Sequence, residues 1–417
     1  MSDNSETVEI HGHIIDSLSL PKVLDELIEA GADYEILEFN VGKSHQDPSY
    51  ARIKIWTRTE DELERALRRI HPFGAAPIDI GEITLEEVDI DGAFPASFYS
   101  TTNFPTEIRM GGRWIPVEHP EMDCGIAVEG KRAFTIPVAD VKRGQMLVTG
   151  RDGIRVIPSE RPRGKSALEF EFMGSSVSSE KPKELQVQRV ASQMKAVKKD
   201  GQKILWVLGP AVIHTGSGPD LSALAANGWV DVVFAGNGFA AHDIESALFK
   251  TSLGVYLEEG TSAEGGHEHH IRAINLVRRS GSIEKAVADG VVTEGVMYQL
   301  VKHDIPFVLA GSVRDDGPLP DTITDILESQ KAMRELSDNV GLTIIVATML
   351  HGIATGNILP ASVPIICVDI NPSTVTKLLD RGSHQSAGLV TDVGLFIAQL
   401  AGELGASKSS ESRPERH

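Results

Sequence analysis

The stretch VDVVFAGNGFAAHDIESALF sets Gly236-Asn237-Gly238 between an apolar β-branched run and a helical pattern. Ala241 holds the third small-residue position of a G-x-G-x-x-A turn. Glycines at a strand-to-helix turn let the backbone approach a pyrophosphate, and the free N–H groups of the helix start can bind it. Dinucleotide binding is the chemistry this suggests; a plain tight turn is the other reading. Glu258, at the end of SLGVYLEE, stands near the spacing of a ribose-binding acid. A second loop, GPAVIHTGSGPD, carries His214, Thr215 and Ser217, and its Pro219-Asp220 suits a helix start with or without a phosphate. AGSVRDDGPLP, ATMLHGIATGN and DINPS are further polar ends of apolar runs. In the last, Asp369 is a carboxylate that would point into the crevice where parallel strands end. His351 reads equally as a substrate-positioning group and as a core or capping histidine.

Other groups carry less specific chemistry. In GGHEHH, His267 and His270 are spaced i, i+3 beside Glu268 and His269. No second ligand cluster accompanies them, so no metal site is expected; a substrate or interface contact and a solvated helix start stay open. VGKSHQDPSYARI brings Lys43, Asp47, Tyr50 and Arg52 around one loop, and FYSTTN…EMDCGI contains Asn103, Arg109, Glu118, Asp123 and Cys124. Lys43 or Arg109 would suit a carboxylate, and Asp123 or Glu118 an ammonium group, as an amino-acid substrate requires. Surface ion pairing is the plain alternative.

The elements that must position these residues fall into distinct patterns. VEIHGHII, DYEILEFNVG and YARIKIWT read as strands, and PKVLDELIEAG and EDELERALRRI as amphipathic helices. This predicts a ferredoxin-like βαββαβ subdomain over residues 1–90. From 91 to 175 short strands with Gly and Pro punctuation predict a β-rich, substrate-side subdomain, with hairpin turns at Gly111-Gly112 and Arg151-Asp152-Gly153. Beyond a polar hinge, KILWVLG, WVDVVFAG, IPFVLAGS, LTIIVATM and VPIICVDI alternate with helices. Runs apolar on both faces predict a parallel, doubly wound α/β domain over 176–405, and 406–417 reads as a disordered tail.

Composition bounds the functions. A formal charge of −19 argues against a nucleic-acid or anionic-membrane partner, and 41% hydrophobic with 24% charged residues suits a globular chain. No signal-like start and no long apolar run is present, and two isolated cysteines fit reduced thiols, so a cytoplasmic protein is expected.

DPSYARI, FYSTTN with EMDCGI, GNGFAAHDIE, RAIN, GSVRDDGPLP and ATMLHGIATGN together resemble the archaeal-type ornithine cyclodeaminase family. Its N-terminal part is the conserved region also named from lysine-ketoglutarate reductase/saccharopine dehydrogenase, and the resemblance spans roughly 7 to 405. A related module ends the cyanobacterial arginine dihydrolase/ornithine cyclodeaminase fusions; no guanidine-hydrolysing domain is seen here, so dihydrolase activity is not implied. The resemblance implies conversion of L-ornithine to L-proline and ammonia with NAD used catalytically, in a homo-oligomer. It implies NAD contacts at Asn237, Gly238, Asp315, Thr348, Met349, Leu350, His351, Asp369, Asp392 and Val393. For the ribose it favours Asp369 over Glu258. It also implies a deoxyhypusine-synthase-like, Rossmann-type domain whose strand order and fingerprint placement depart from the ordinary one. Asp123 is the expected partner or base for an amino group, Cys124 a pocket residue, and Lys43 and Arg109 the carboxylate candidates. An amino-acid oxidoreductase with net NADH formation and a non-catalytic nucleotide sensor are the competing functions. A deoxyhypusine-synthase-like transferase is disfavoured, since no lysine stands at the strand ends.

Overall fold

Alternation of apolar and polar residues builds the first sheet. In β1 (Asn4–Gly12) Val8 and Ile10 are buried, and in β3 (Ser49–Thr57) Ala51, Ile53 and Ile55 face the same core. The computed structural model describes residues 4–406 except 13, 16–18, 43–46, 48, 78–80, 158–182, 258–260, 262, 264–265, 316 and 382–385. With β2 (Asp33–Asn40) and β4 (Ala76–Pro77) the strands form an antiparallel sheet in the order β2-β3-β1-β4. The helices Ser19–Glu29 and Glu60–Ile70 bury Leu20, Val23, Leu27, Ala66 and Ile70 against it. The second helix opens with a reciprocal Thr59–Glu62 capping box, which satisfies two otherwise unpaired N–H groups. This is the expected ferredoxin-like arrangement.

A β-rich sheet follows, built from β5 (Thr84–Glu87), β6 (Thr106–Met110), β7 (Arg113–Glu118), β8 (Gly125–Glu129), β9 (Arg132–Ile136), β10 (Met146–Thr149) and β11 (Ile154–Val156). Their order is β11-β6-β7-β9-β8-β10-β5. Gly111 and Gly112, at φ 60° and 73°, make the two-residue β6–β7 turn that their type predicts. Residues 151–153 do not make the expected hairpin: β11 pairs with β6, while β10 pairs with β5 and β8. The glycine there serves a crossover between separate parts of the sheet.

The third sheet is parallel throughout. It contains β12 (Lys203–Leu208), β13 (Val232–Gly236), β16 (Phe307–Ala310), β17 (Thr322–Ile323), β18 (Val340–Val346), β19 (Ile365–Asp369) and β20 (Ser386–Val390). A small hairpin, β14 (Thr251–Ser252) with β15 (Val255–Tyr256), lies outside it. The order β17-β16-β13-β12-β18-β19-β20 is the 3-2-1-4-5-6 arrangement of a doubly wound Rossmann sheet with one added edge strand. Strand order therefore does not depart from the ordinary domain. The departure lies in the glycine turn, which follows the second strand, β13, and not the first. Chain contacts group Met1–Phe172 with Asn357–Ser362 as one unit and Met173–Gly356 with Val363–His417 as the other. No helix among the described residues is long and apolar enough to cross a membrane.

Candidate functional site

Two close backbone approaches shape the carboxyl ends of the Rossmann strands. At Gly209, just after β12, a Cβ would lie 1.9 Å from the Ala347 carbonyl oxygen. Ala347 itself, just after β18, takes a left-handed conformation at φ 51°. At Gly236 a Cβ would come within 3.1 Å of His351 Cε1. Beside these ends lies a cavity of about 490 Å³, whose walls include Gly236, Asn237, Gly238, Asp315, Thr348 and His351. Motifs from β13, β16 and β18 thus meet in one place.

Asn237 is 5% exposed, and both polar atoms of its side chain are hydrogen-bonded. Its Oδ1 accepts from Leu319 N (2.9 Å) and Thr322 Oγ1 (3.2 Å), and its Nδ2 donates to Asp315 Oδ1 (3.2 Å). Asp315 Oδ2 in turn accepts from Ser312 N at 2.7 Å. Both residues order the loop after β16. Burial pushes the His351 imidazole below its ordinary value, against the opposing pull of Asp315. Met349, Leu350, Asp369, Asp392 and Val393 lie outside the cavity wall. Asp369 ends β19 and accepts from Asn371 N at 2.8 Å. Asp392 caps the helix Val393–Glu403 through Leu395 N at 2.9 Å, with Val393 buried behind it. Leu350 opens the helix Leu350–Ile358 and is exposed.

Sequence reasoning missed a pair of which one member, His242, lines the same wall. His242 Nδ1 is 2.8 Å from Glu245 Oε2, one turn later on the helix Asn237–Phe249, and Glu245 is wholly buried. Glu245 also accepts from Thr251 Oγ1, Leu253 N and Gly254 N. Burial alone would raise its carboxyl; the bonds from His242, Gly254 and Thr251 outweigh that and hold it below the ordinary value. The His214 ring lies 4.7 Å from that of His242, and the His270 ring 6.3 Å from it. His214 Nδ1 is bonded to Ser252 Oγ at 2.6 Å, and burial, then His242, pushes its pKa down. The His-x-x-Glu spacing in GNGFAAHDIE was the available signal. Among the described residues no group of three or more His, Cys, Asp or Glu side chains is arranged to hold a metal.

In the first unit, FYSTTN and EMDCG are joined around Thr101. Its hydroxyl donates to Glu121 O at 2.6 Å and accepts from Cys124 N at 3.0 Å, while Asp123 N donates to Thr101 O at 3.0 Å. Cys124 is 2% exposed, and Asp123 is exposed with φ 62°. Asn103 Nδ2 donates to Leu359 O at 3.3 Å, and Met122 N to Asn357 O at 3.0 Å. Arg109 does not join this group. It sits beside the β6–β7 turn, 3.8 Å from Glu82. Strand register sets it about six residue steps, on the order of 20 Å, from the β8 end that carries Asp123. Glu118 is paired with Arg132 at 2.6 Å, and Arg52 with Glu9 at 3.0 Å. Lys43 and Glu258 lie outside the described residues.

A doubly wound sheet with a glycine turn and carboxylates at its strand ends defines a Rossmann-type protein of the dinucleotide-binding class. The family described as arginine dihydrolase ArgZ-like, C-terminal, Rossmann fold matches residues 188–400, its first region matches 105–187, and the LOR/SDH bifunctional enzyme conserved region matches 5–104. An ornithine cyclodeaminase from Methanothermobacter thermautotrophicus is 51% identical, over 96% of this chain and 98% of its own. A crystal structure of a conserved putative LOR/SDH protein from Methanococcus maripaludis is 46% identical with TM-score 0.72, covering 78% of this chain and 98% of its own. AgrE, named in Nostoc as a bifunctional arginine dihydrolase/ornithine cyclodeaminase, has a structure in ternary complex with ornithine and NAD+. That structure is 40% identical with TM-score 0.53, over 96% of this chain and 57% of its own. The chain belongs to the ornithine cyclodeaminase family.

Proposed function

We propose that the chain is an NAD-dependent ornithine cyclodeaminase, an enzyme converting L-ornithine to L-proline and ammonia. The observation that carries this is the cavity at the strand ends, where the GNG, VRDDG and ATMLHG motifs converge in a chain of this family. The residues fit a dinucleotide: at Gly236 any side chain would fill the space against His351. When bound, NAD supplies an acceptor for hydride from Cα that gives it back to the cyclic imine in the same turnover.

The chain's own residues divide the remaining work. Asp369 keeps Oδ2 for a ribose hydroxyl while Oδ1 is held by Asn371 N. Thr348 to His351 lead into a helix start, whose N–H groups suit the phosphates. Gly238 leaves room for the backbone to approach the cofactor, Asn237 and Asp315 hold the neighbouring loop, and Asp392 with Val393 completes the binding edge. Asp123 is the proposed partner of a substrate amino group, with Cys124 packed beneath it. Lys43 stays a carboxylate candidate, whereas the Glu82 contact and sheet position of Arg109 argue against it.

A cytoplasmic location is part of this proposal, supported by two buried free cysteines. The net charge of −19 supports the absence of a nucleic-acid partner. A homo-oligomer is supported by edge strand β2, where Ile36, Leu37 and Phe39 remain 40, 49 and 44% exposed. The test is incubation with L-ornithine and NAD: proline and ammonia without net NADH support the assignment, and net NADH formation rejects it in favour of an amino-acid oxidoreductase.

A further inference from the structure

Ornithine enters this reaction with two ammonium groups, and the proton balance defines a requirement. The α-ammonium sheds one proton so that its nitrogen pair can form the C=N bond as Cα is oxidised. The δ-ammonium sheds a second before its nitrogen attacks Cα. The new N–Cα bond forms, the old Cα–N bond breaks, and ammonia departs with the bonding pair. Ammonia and the ring nitrogen then each regain a proton, and the two electrons taken from Cα return to that carbon. Two protons leave and two come back, so the site needs a group that borrows protons near neutral pH.

Resting on the ornithine assignment above, we propose that His242 is that group: its Nε2 takes protons from substrate ammonium groups and returns them within the turnover, and Glu245 positions its ring. The geometry carries this. Nδ1 of His242 is held at 2.8 Å by a wholly buried carboxylate, and the ring lines the cavity beside the glycine turn. A carboxylate on one imidazole nitrogen fixes the tautomer and leaves the other nitrogen's lone pair for chemistry.

The neighbouring groups are less suited. His214 is tied to Ser252 and disfavours a proton beside His242; His351 is half-buried, and among the described residues its ring makes a long contact to Thr348. His270 is exposed, and among the described residues no lysine lines the cavity. Among the described residues, Glu245 from its own helix and His214 and His270 from the flanking helices lie against the His242 ring, and Arg314, Asp315 and His351 share its cavity wall.

The experiment uses the full chain with NAD and ornithine, following proline formation against pH, with NAD affinity measured separately. His242→Gln should bind NAD as the wild type does and lose about 100-fold or more in kcat, the usual contribution of a general base. The ionisation it supplies should vanish from the pH profile, and added imidazole should restore part of the rate to His242→Ala. Glu245→Gln should shift the pH profile with a smaller loss of rate. Since Glu245 also ties down Leu253 and Gly254, the His242 variants decide the matter. Wild-type rate and pH profile in His242→Gln overturn the proposal alone. So does a rate loss matched by an equal loss of NAD affinity, which makes His242 a cofactor contact. A wild-type protein that binds NAD yet forms no proline overturns the ornithine assignment and this proposal together.

Discussion

Asn237 and Asp315, 78 residues apart in the chain, are joined by a 3.2 Å hydrogen bond from Nδ2 to Oδ1. The glycine turn after β13 and the loop after β16 thus hold each other in place. Asn237→Ala strips Leu319 N and Thr322 Oγ1 of their acceptor inside the fold. Unmet buried donors cost about 1–3 kcal/mol each, so the variant should melt several degrees lower and bind NAD at least about tenfold more weakly. Calorimetry and an NAD titration check this; unchanged affinity would show that the loop does not depend on the asparagine.

Gly209 and Gly236 should separate folding from binding. Gly209→Ala drives a methyl into the Ala347 carbonyl, and substantial loss of folded protein is expected. Gly236→Ala meets only the edge of His351, at 3.1 Å. It should fold, melt close to wild type and lose roughly tenfold in NAD affinity, about 1.4 kcal/mol. Equal melting losses in the two variants would contradict this division.

Asp369→Asn tests the ribose acceptor. Hydrogen bonds to a charged group are worth about 1.5–3 kcal/mol, so NAD affinity should fall about tenfold or more. Glu258, the competing acid, serves as the control: Glu258→Gln should leave affinity within about twofold. The reverse ranking would move the ribose to Glu258.

Much of this site was legible because strand-end residues in a parallel sheet have one place to go. The apolar runs marked the strands, and the polar residues closing them marked the crevice. Strand order was not legible, since runs such as KILWVLG and LTIIVATM look alike whichever neighbour they pair with. The place of Arg109 was not legible, because a cation beside a glycine turn carries no sign of which sheet end it occupies. His242 and Glu245 were overlooked because an i, i+3 pair resembles a solvated helix face until Thr251 to Gly254 fold over it. The return of Asn357–Ser362 to the first unit had no signal, being the tail of an ordinary strand-helix repeat.

His71 makes stability depend on acid. Burial, aided by Arg151, lowers its pKa from 6.5 to about 4. The unfolded chain takes up the proton first, so stability present above pH 6.5 is lost as pH falls toward 4. At about 1.4 kcal/mol per unit the loss reaches roughly 3 kcal/mol. In chemical denaturation across that range, His71→Gln should show a flatter decline than wild type. Parallel declines would remove His71 as the cause.

The proposed reaction requires that hydride be borrowed and returned within each turnover. It is tested most directly by supplying excess L-ornithine with far less NAD and measuring proline, ammonia and NADH together. Equal amounts of proline and ammonia, each well beyond the NAD supplied, are expected, with no accumulation of NADH. Product that stops at the amount of NAD added, with matching NADH, would contradict it.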